Sequence, residues 1–168
     1  MPLSMSRASQ PVFLQMLTAL SANLDKAAAH CAAKGIDPSE LVGARLAPDM
    51  LPFSRQVQIA SDHAKGATAR LSGRENPKYE DTEATFDELK ARIAKTLAFV
   101  SSVPASEIDG SDEKDVTITV GGQPRTMPAQ HYLLHNALPN FFFHVTTAYD
   151  ILRHKGVEVG KRDYRGTY

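Results

Sequence analysis

The chain has 168 residues, 19 lysines and arginines against 19 aspartates and glutamates, one cysteine and no tryptophan. Its zero formal charge provides no long-range field to attract nucleic acid or an anionic membrane, and the lone Cys31 excludes an intrachain disulfide framework. The length suits one domain, 1–168, large enough to fold without a disulfide or metal staple.

Met1 to Arg7 shows no basic stretch running into an apolar one, so no signal peptide is expected. No window approaches the roughly 18 consecutive apolar residues of a membrane span. A soluble, cytoplasmic protein is the expectation.

Helical periodicity then dominates. Phe13, Leu17, Leu20, Leu24, Ala28 and Cys31 recur at three- and four-residue steps and predict one helix stripe. Pro11 stands near its start as a kink or a first-turn marker, and Gly35 supplies a left-handed cap. Asp37-Pro38-Ser39-Glu40 spells a short second start, with Asp37 as N-cap, Pro38 at the first helical position and Glu40 reaching back. A second long helix is predicted from Pro52, with Phe53, Val57, Ala60, Ala64, Ala67 and Leu71 as a narrow seam and Gly73 closing it. Thr82 is read as the cap of a third long helix carrying Phe86, Leu89, Ile93, Leu97 and Val100.

The period changes to two over 115–127. Val116, Ile118 and Val120 alternate with threonines, and Gly121-Gly122 predicts a two-residue hairpin turn. The last helix is predicted from about Pro128 to His154. Its main face is Leu134, Leu138, Phe141, Phe142, Val145, Ala148, Tyr149 and Leu152, with a kink at Pro139. Phe143 falls off that face and points toward a second subunit or the hairpin. The tail from Gly160 is polar and basic, while Glu107 to Asp115 is acidic. Four long amphipathic helices with a hairpin between the third and fourth imply an all-α four-helix bundle.

Histidines are the candidates for chemistry, because bundle interiors hold metal sites built from facing helices. His131 and His135, four apart, share a helix face; the simpler reading makes them a polar border. His144 falls within the apolar arc and needs a partner if buried. His63 lies on the flank of the second long helix, beside Gln56 and Ile59. A functional reading pairs His63 with His144 across two helices, leaving a third ligand to be found. Asp62 points away from the seam. Cys31, on an apolar stripe, reads as a small buried hydrophobe. No phosphate-binding glycine loop, nucleophile elbow or CxxC motif is present.

Four strings together carry a resemblance: Ala44-Arg45-Leu46-Ala47-Pro48-Asp49-Met50, Arg55-Gln56-Val57-Gln58-Ile59-Ala60-Ser61-Asp62, Leu138-Pro139-Asn140-Phe141-Phe142-Phe143-His144-Val145-Thr146-Thr147-Ala148-Tyr149, and Gly160-Lys161-Arg162-Asp163. The chain resembles an uncharacterised bacterial domain family grouped with the DinB/YfiT-like metalloenzymes. The resemblance implies an up-down-down-up bundle and a homodimer. It also implies a metal site of one histidine on the second helix and an HxxxH pair on the fourth. His144 matches the second position of that pair, Asn140 replaces the first histidine, and His63 is the candidate on the second helix. The expected function is therefore a dimeric small-molecule or partner-binding protein with a metal-free or degenerate site. The alternative is a histidine-based enzyme holding zinc or nickel at His63, Asn140 and His144, of thiol transferase or hydrolase type.

Overall fold

A computed structural model describes residues 3–168. Met1 and Pro2, where the stretch read as lacking a signal peptide begins, lie outside the described residues.

The first helix, α1 (Met5–Lys34), begins where the Ser4 hydroxyl accepts the Arg7 amide. Its buried face carries Phe13, Leu17, Leu20, Leu24 and Cys31, as the spacing predicts. Pro11 lies inside the helix, not at its first turn. Gly35 (φ 65°) ends it in the left-handed region. The short α2 (Pro38–Val42) starts at Asp37, whose carboxylate accepts the Ser39 amide. Helix α3 (Phe53–Ser72) buries the whole predicted seam, and Gly73 (φ 76°) closes it.

Helix α4 (Phe86–Ser102) is capped three residues later than predicted. Thr85, not Thr82, receives the Glu88 amide, and the Glu88 carboxylate reaches back to the Thr85 amide. The reason is the reciprocal capping box, which needs Glu at the third helical position. A short α5 (Ala105–Ile108) leads to strands β1 (Asp115–Val120) and β2 (Gln123–Pro128). These pair antiparallel, with Val120 opposite Gln123 around Gly121 (φ 57°) and Gly122 (φ 78°). Both turn residues need positive φ, which glycine adopts freely.

The last long stretch is not one kinked helix. It comprises α6 (Ala129–Tyr132), a π-helical turn (Leu133–Ala137) and α7 (Leu138–His154). Pro139 has no amide hydrogen, and its ring conflicts with the carbonyl four residues back in an α-helix. The widened turn, with the Leu138 amide bonded to the Leu133 carbonyl five residues back, lies just ahead of it. The π-turn inserts about one residue into the phase. Leu133 and Ala137 are therefore buried, while the predicted Leu134 is 46% exposed. Phe142, also read as core, lies at the surface beside Phe143, which is 55% exposed.

The polar, basic tail, for which no element is predicted, forms α8 (Lys161–Arg165) and packs on α1. Asp163 binds Lys26 at 2.7 Å, Gln15 Nε2 donates to the Arg165 carbonyl, and Tyr164 meets the Thr146 hydroxyl at 2.9 Å. The acidic loop is likewise partly engaged within the chain. Glu107 takes two bonds from Arg74, and Asp109 accepts the Ser6 amide at 2.9 Å.

The structure is thus mostly helical, with one small antiparallel hairpin. Helix α3 packs on α7 and α4, and α1 packs on α4 and α7. Their buried residues join in a single apolar cluster, with Phe13 meeting Phe141 edge-on at 4.9 Å between ring centres. No described helix is long and apolar enough to cross a membrane.

Candidate binding cleft and histidine site

One face of α3 and one face of the α6–π-turn–α7 stretch open onto a cleft of about 530 Å³. From α3 it receives His63 and Arg70, seven residues apart and so on one helix face. Across from them stand Tyr132, Asn136 and Asn140, at steps of four. The hairpin end from Ile118 to Gly121 forms a third side.

The π-turn decides which residues reach this cleft. Asn136, inside the turn, and Asn140, beyond it, both line the cleft, while Asn140 Nδ2 donates to the Asn136 carbonyl at 2.7 Å. His144 is one turn further along α7. Its ring centre is 5.8 Å from that of His63, with the two planes within 15°.

Gln56 orients His144. Its Nε2 donates to the Leu51 carbonyl at 3.0 Å, which turns Oε1 toward His144 Nδ1 at 2.7 Å. An amide oxygen only accepts, so Nδ1 holds the proton and the Nε2 lone pair stays free. Burial, then the nearby His63 and Arg55, pushes the His144 pKa down to about 4. Burial also lowers that of His63; Asp62 opposes this and Arg70 reinforces it. Both rings are neutral at pH 7, the form that ligates a metal.

The fit to a metal ion can be tested on this donor set. With N–Zn near 2.0–2.1 Å, a ring centre stands about 3.2 Å from a bound ion, so the 5.8 Å separation is within range of one ion, but each lone pair lies in its ring plane and these stacked, nearly parallel rings do not aim both at one point. The third member of the trio is an amide. Among the described residues, no three His, Cys, Asp or Glu side chains group to hold a metal ion. The residues therefore offer two imidazoles, one of them oriented by a hydrogen bond as metal-bound histidines are, and an amide oxygen in place of a third nitrogen.

The other sequence candidates lie elsewhere. His131 and His135 stack at 4.4 Å between ring centres, are exposed, and do not line the cleft. Cys31 is buried, and burial first, then Asp37 and Glu40, pushes its thiol pKa up. That suits packing, not nucleophilic attack. Asp62 faces away from the histidines and binds Arg92 at 2.8 Å and Lys65 at 3.0 Å.

Sequence reasoning missed Arg70, Tyr132 and Asn136, and it saw Gln56 only as a neighbour of His63. A spacing signal existed for two of them. Gln56 and Arg70 stand seven residues before and after His63, on the same face of α3. Tyr132 and Asn136 were hidden because the π-turn shifts the wheel on which they would be read.

Residues 5–165 match the family described as a domain of unknown function, DUF1993. A DinB family member protein from Shewanella denitrificans, known from a crystal structure, is 38% identical, with a TM-score of 0.89. The alignment covers 97% of this chain and 92% of that one. None of the curated proteins matches the chain.

Proposed function

We propose that this chain, which belongs to the DUF1993 family within the DinB-like superfamily, binds a small molecule in the cleft beside His63. In this reading the chain is one domain, an up-down-down-up four-helix bundle. Its His63, Asn140 and His144 form an incomplete metal site. The observation that carries the reading is the amide at position 140. Asn140 stands one turn before His144, lines the cleft with His63, and gives its Nδ2 to the Asn136 carbonyl. An amide oxygen is a poorer zinc ligand than an imidazole.

Restoring the missing histidine tests this. Elemental analysis of protein purified without a metal-affinity tag should find substoichiometric metal in the natural chain. Asn140→His should take up close to one zinc per chain, and its melting temperature should then fall on chelation. A natural chain that already carries one tightly held metal per molecule would sink the incomplete-site reading.

A second reading is favoured by the Gln56–His144 contact, which leaves Nε2 free toward a ligand. In that reading His63, His144 and the Asn140 oxygen would hold a divalent ion, zinc or nickel, that activates water or a thiol. The chain would then be a metal-dependent transferase or hydrolase.

A homodimer is part of the first reading. It is supported by Leu134, Phe142 and Phe143, large apolar side chains left at the surface along the same helical stretch. A cytoplasmic setting is supported by the single free thiol of Cys31.

A further inference from the structure

Three arginines among the described residues are paired with carboxylates, whereas Arg70, exposed on α3, is among those that are not. Arg55 binds Asp81, Arg74 binds Glu107, and Arg92 binds Asp62, Asp81 and Glu83. Arg70 makes no such ion pair among the described residues. Its guanidinium turns back along α3, where an added Cβ at Gly66 would lie 2.6 Å from Nη1. The bare backbone of Gly66 is what makes that position available. Arg70 thereby reaches the cleft and donates to the Tyr132 hydroxyl at 3.3 Å.

Tyr132 supplies the second, independent observation. It is only 2% exposed, yet it lines the cleft. Its hydroxyl accepts from Arg70, which leaves its own proton available to donate into the cleft it lines. A hydroxyl that already accepts from a guanidinium has its proton left to give, so a ligand atom that accepts suits it best. The atom that completes it must accept a hydrogen bond and must tolerate a guanidinium beside it.

Charge and shape narrow the class further. With His63 neutral, Arg70 is the formally charged side chain among the lining residues. No lining carboxylate competes for it. The hairpin side is apolar at Ile118 and Val120, and Val120 is left largely exposed. Arg70 and His63 are separated by about 10 Å along the axis of α3, at roughly 1.5 Å per residue. A molecule with an acid group at one end and a short apolar body fits this layout.

We infer that the cleft binds a small organic carboxylate. Its acid group is held by Arg70 and Tyr132, and its apolar part lies against Ile118 and Val120. The planar fork of arginine matches a carboxylate in two parallel hydrogen bonds. The unused Tyr132 proton adds a third bond to the same group. This inference rests on the proposal that the cleft is a small-molecule site, and it names the class of molecule.

The test uses hexanoate, hexanamide, hexylamine and inorganic phosphate, each titrated into the full chain. Binding is followed by calorimetry and by chemical shifts of the His63 and Asn140 signals. Hexanoate should bind at least about tenfold more tightly than hexanamide, a difference of roughly 1.4 kcal/mol. Arg70→Gln should abolish that preference, and Tyr132→Phe should reduce it several-fold. Gly66→Ala provides a variant that should fold well, since alanine favours a helix over glycine. By displacing the guanidinium it should weaken hexanoate as Arg70→Gln does.

If hexanamide or hexylamine binds the cleft as tightly as hexanoate, the carboxylate assignment falls while the small-molecule site stands. Binding of phosphate but not hexanoate overturns the inference in favour of an inorganic-anion site. If none of the four probes shifts the His63 or Asn140 signals, the inference and the binding-site proposal fall together.

Discussion

His144 shows how a single side chain takes its properties from its surroundings. An unperturbed histidine titrates near 6.5, whereas burial, His63 and Arg55 push this one down to about 4. The unfolded chain thus takes up a proton that the folded chain resists. The stability contributed by a neutral His144 is complete above about pH 6.5 and is lost as pH falls through the window from 6.5 to about 4. Urea denaturation across that window should show a falling midpoint, and His144→Gln should flatten the slope. Identical slopes for both proteins would show that His144 is not the group responsible. His63 acts in the same direction, so the flattening should be partial.

Arg92 is the other residue whose role depends on context. It is fully buried on α4 and binds Asp62 at 2.8 Å, Asp81 at 3.0 Å, Glu83 at 3.1 Å and the Glu80 carbonyl at 3.0 Å. Burial opposes its charge, but Asp62, Glu83 and Asp81 outweigh that, and its pKa is raised. Arg92 therefore ties the loop before α4 to α3. Arg92→Ala should cost about 3 kcal/mol, the lower end for a broken buried pair, because Asp62 and Asp81 keep some contact with water. Chemical denaturation measures this directly, and a loss below about 1 kcal/mol would contradict it. Nothing in the spacing of Arg92 distinguishes it from a solvated arginine. Its partners come from α3 and from a loop with no periodic pattern.

At the scale of elements, the π-turn has the widest consequences. It lets the chain approach Pro139 without a clash, and it rotates everything before it by about one residue. Leu133 is buried and Leu134 is exposed, the reverse of what an unbroken helix predicts. Leu133→Ala should therefore cost about 2–5 kcal/mol, while Leu134→Ala should stay within about 0.5 kcal/mol. Thermal or urea unfolding of the two variants separates the two registers, and equal losses would refute the shift. The four main stripes beyond that turn were legible because a 3.6-residue period survives any packing arrangement. The start of α4 was not, since Thr82 and Thr85 are both acceptable caps and only the Glu88 carboxylate chooses between them. The helix α8 was hidden by its length and polarity, because its ordering comes from Lys26, Gln15 and Thr146 on other elements.

At the scale of the whole molecule, the surface left by the fold bears on assembly. The acidic loop and the basic tail are partly satisfied within the chain through Arg74 and Lys26. The apolar side chains of Leu134, Phe142 and Phe143 remain the better candidate for a contact between copies. Analytical ultracentrifugation at micromolar concentration should show a dimer that Phe143→Asp dissociates. A monomer at that concentration would count against the assembly. The sequence by itself determined which long stretches are helical, where the hairpin turns and that His144 would be partly buried, because local periodicity and turn chemistry record those properties. Only the tertiary structure decided that His63 and His144 lie 5.8 Å apart, that Gln56 sets the His144 tautomer, and that Arg70 and Tyr132 share a cleft. Those relations join residues dozens of positions apart, and their geometry depends on how α3 packs against a helix whose phase the π-turn has changed.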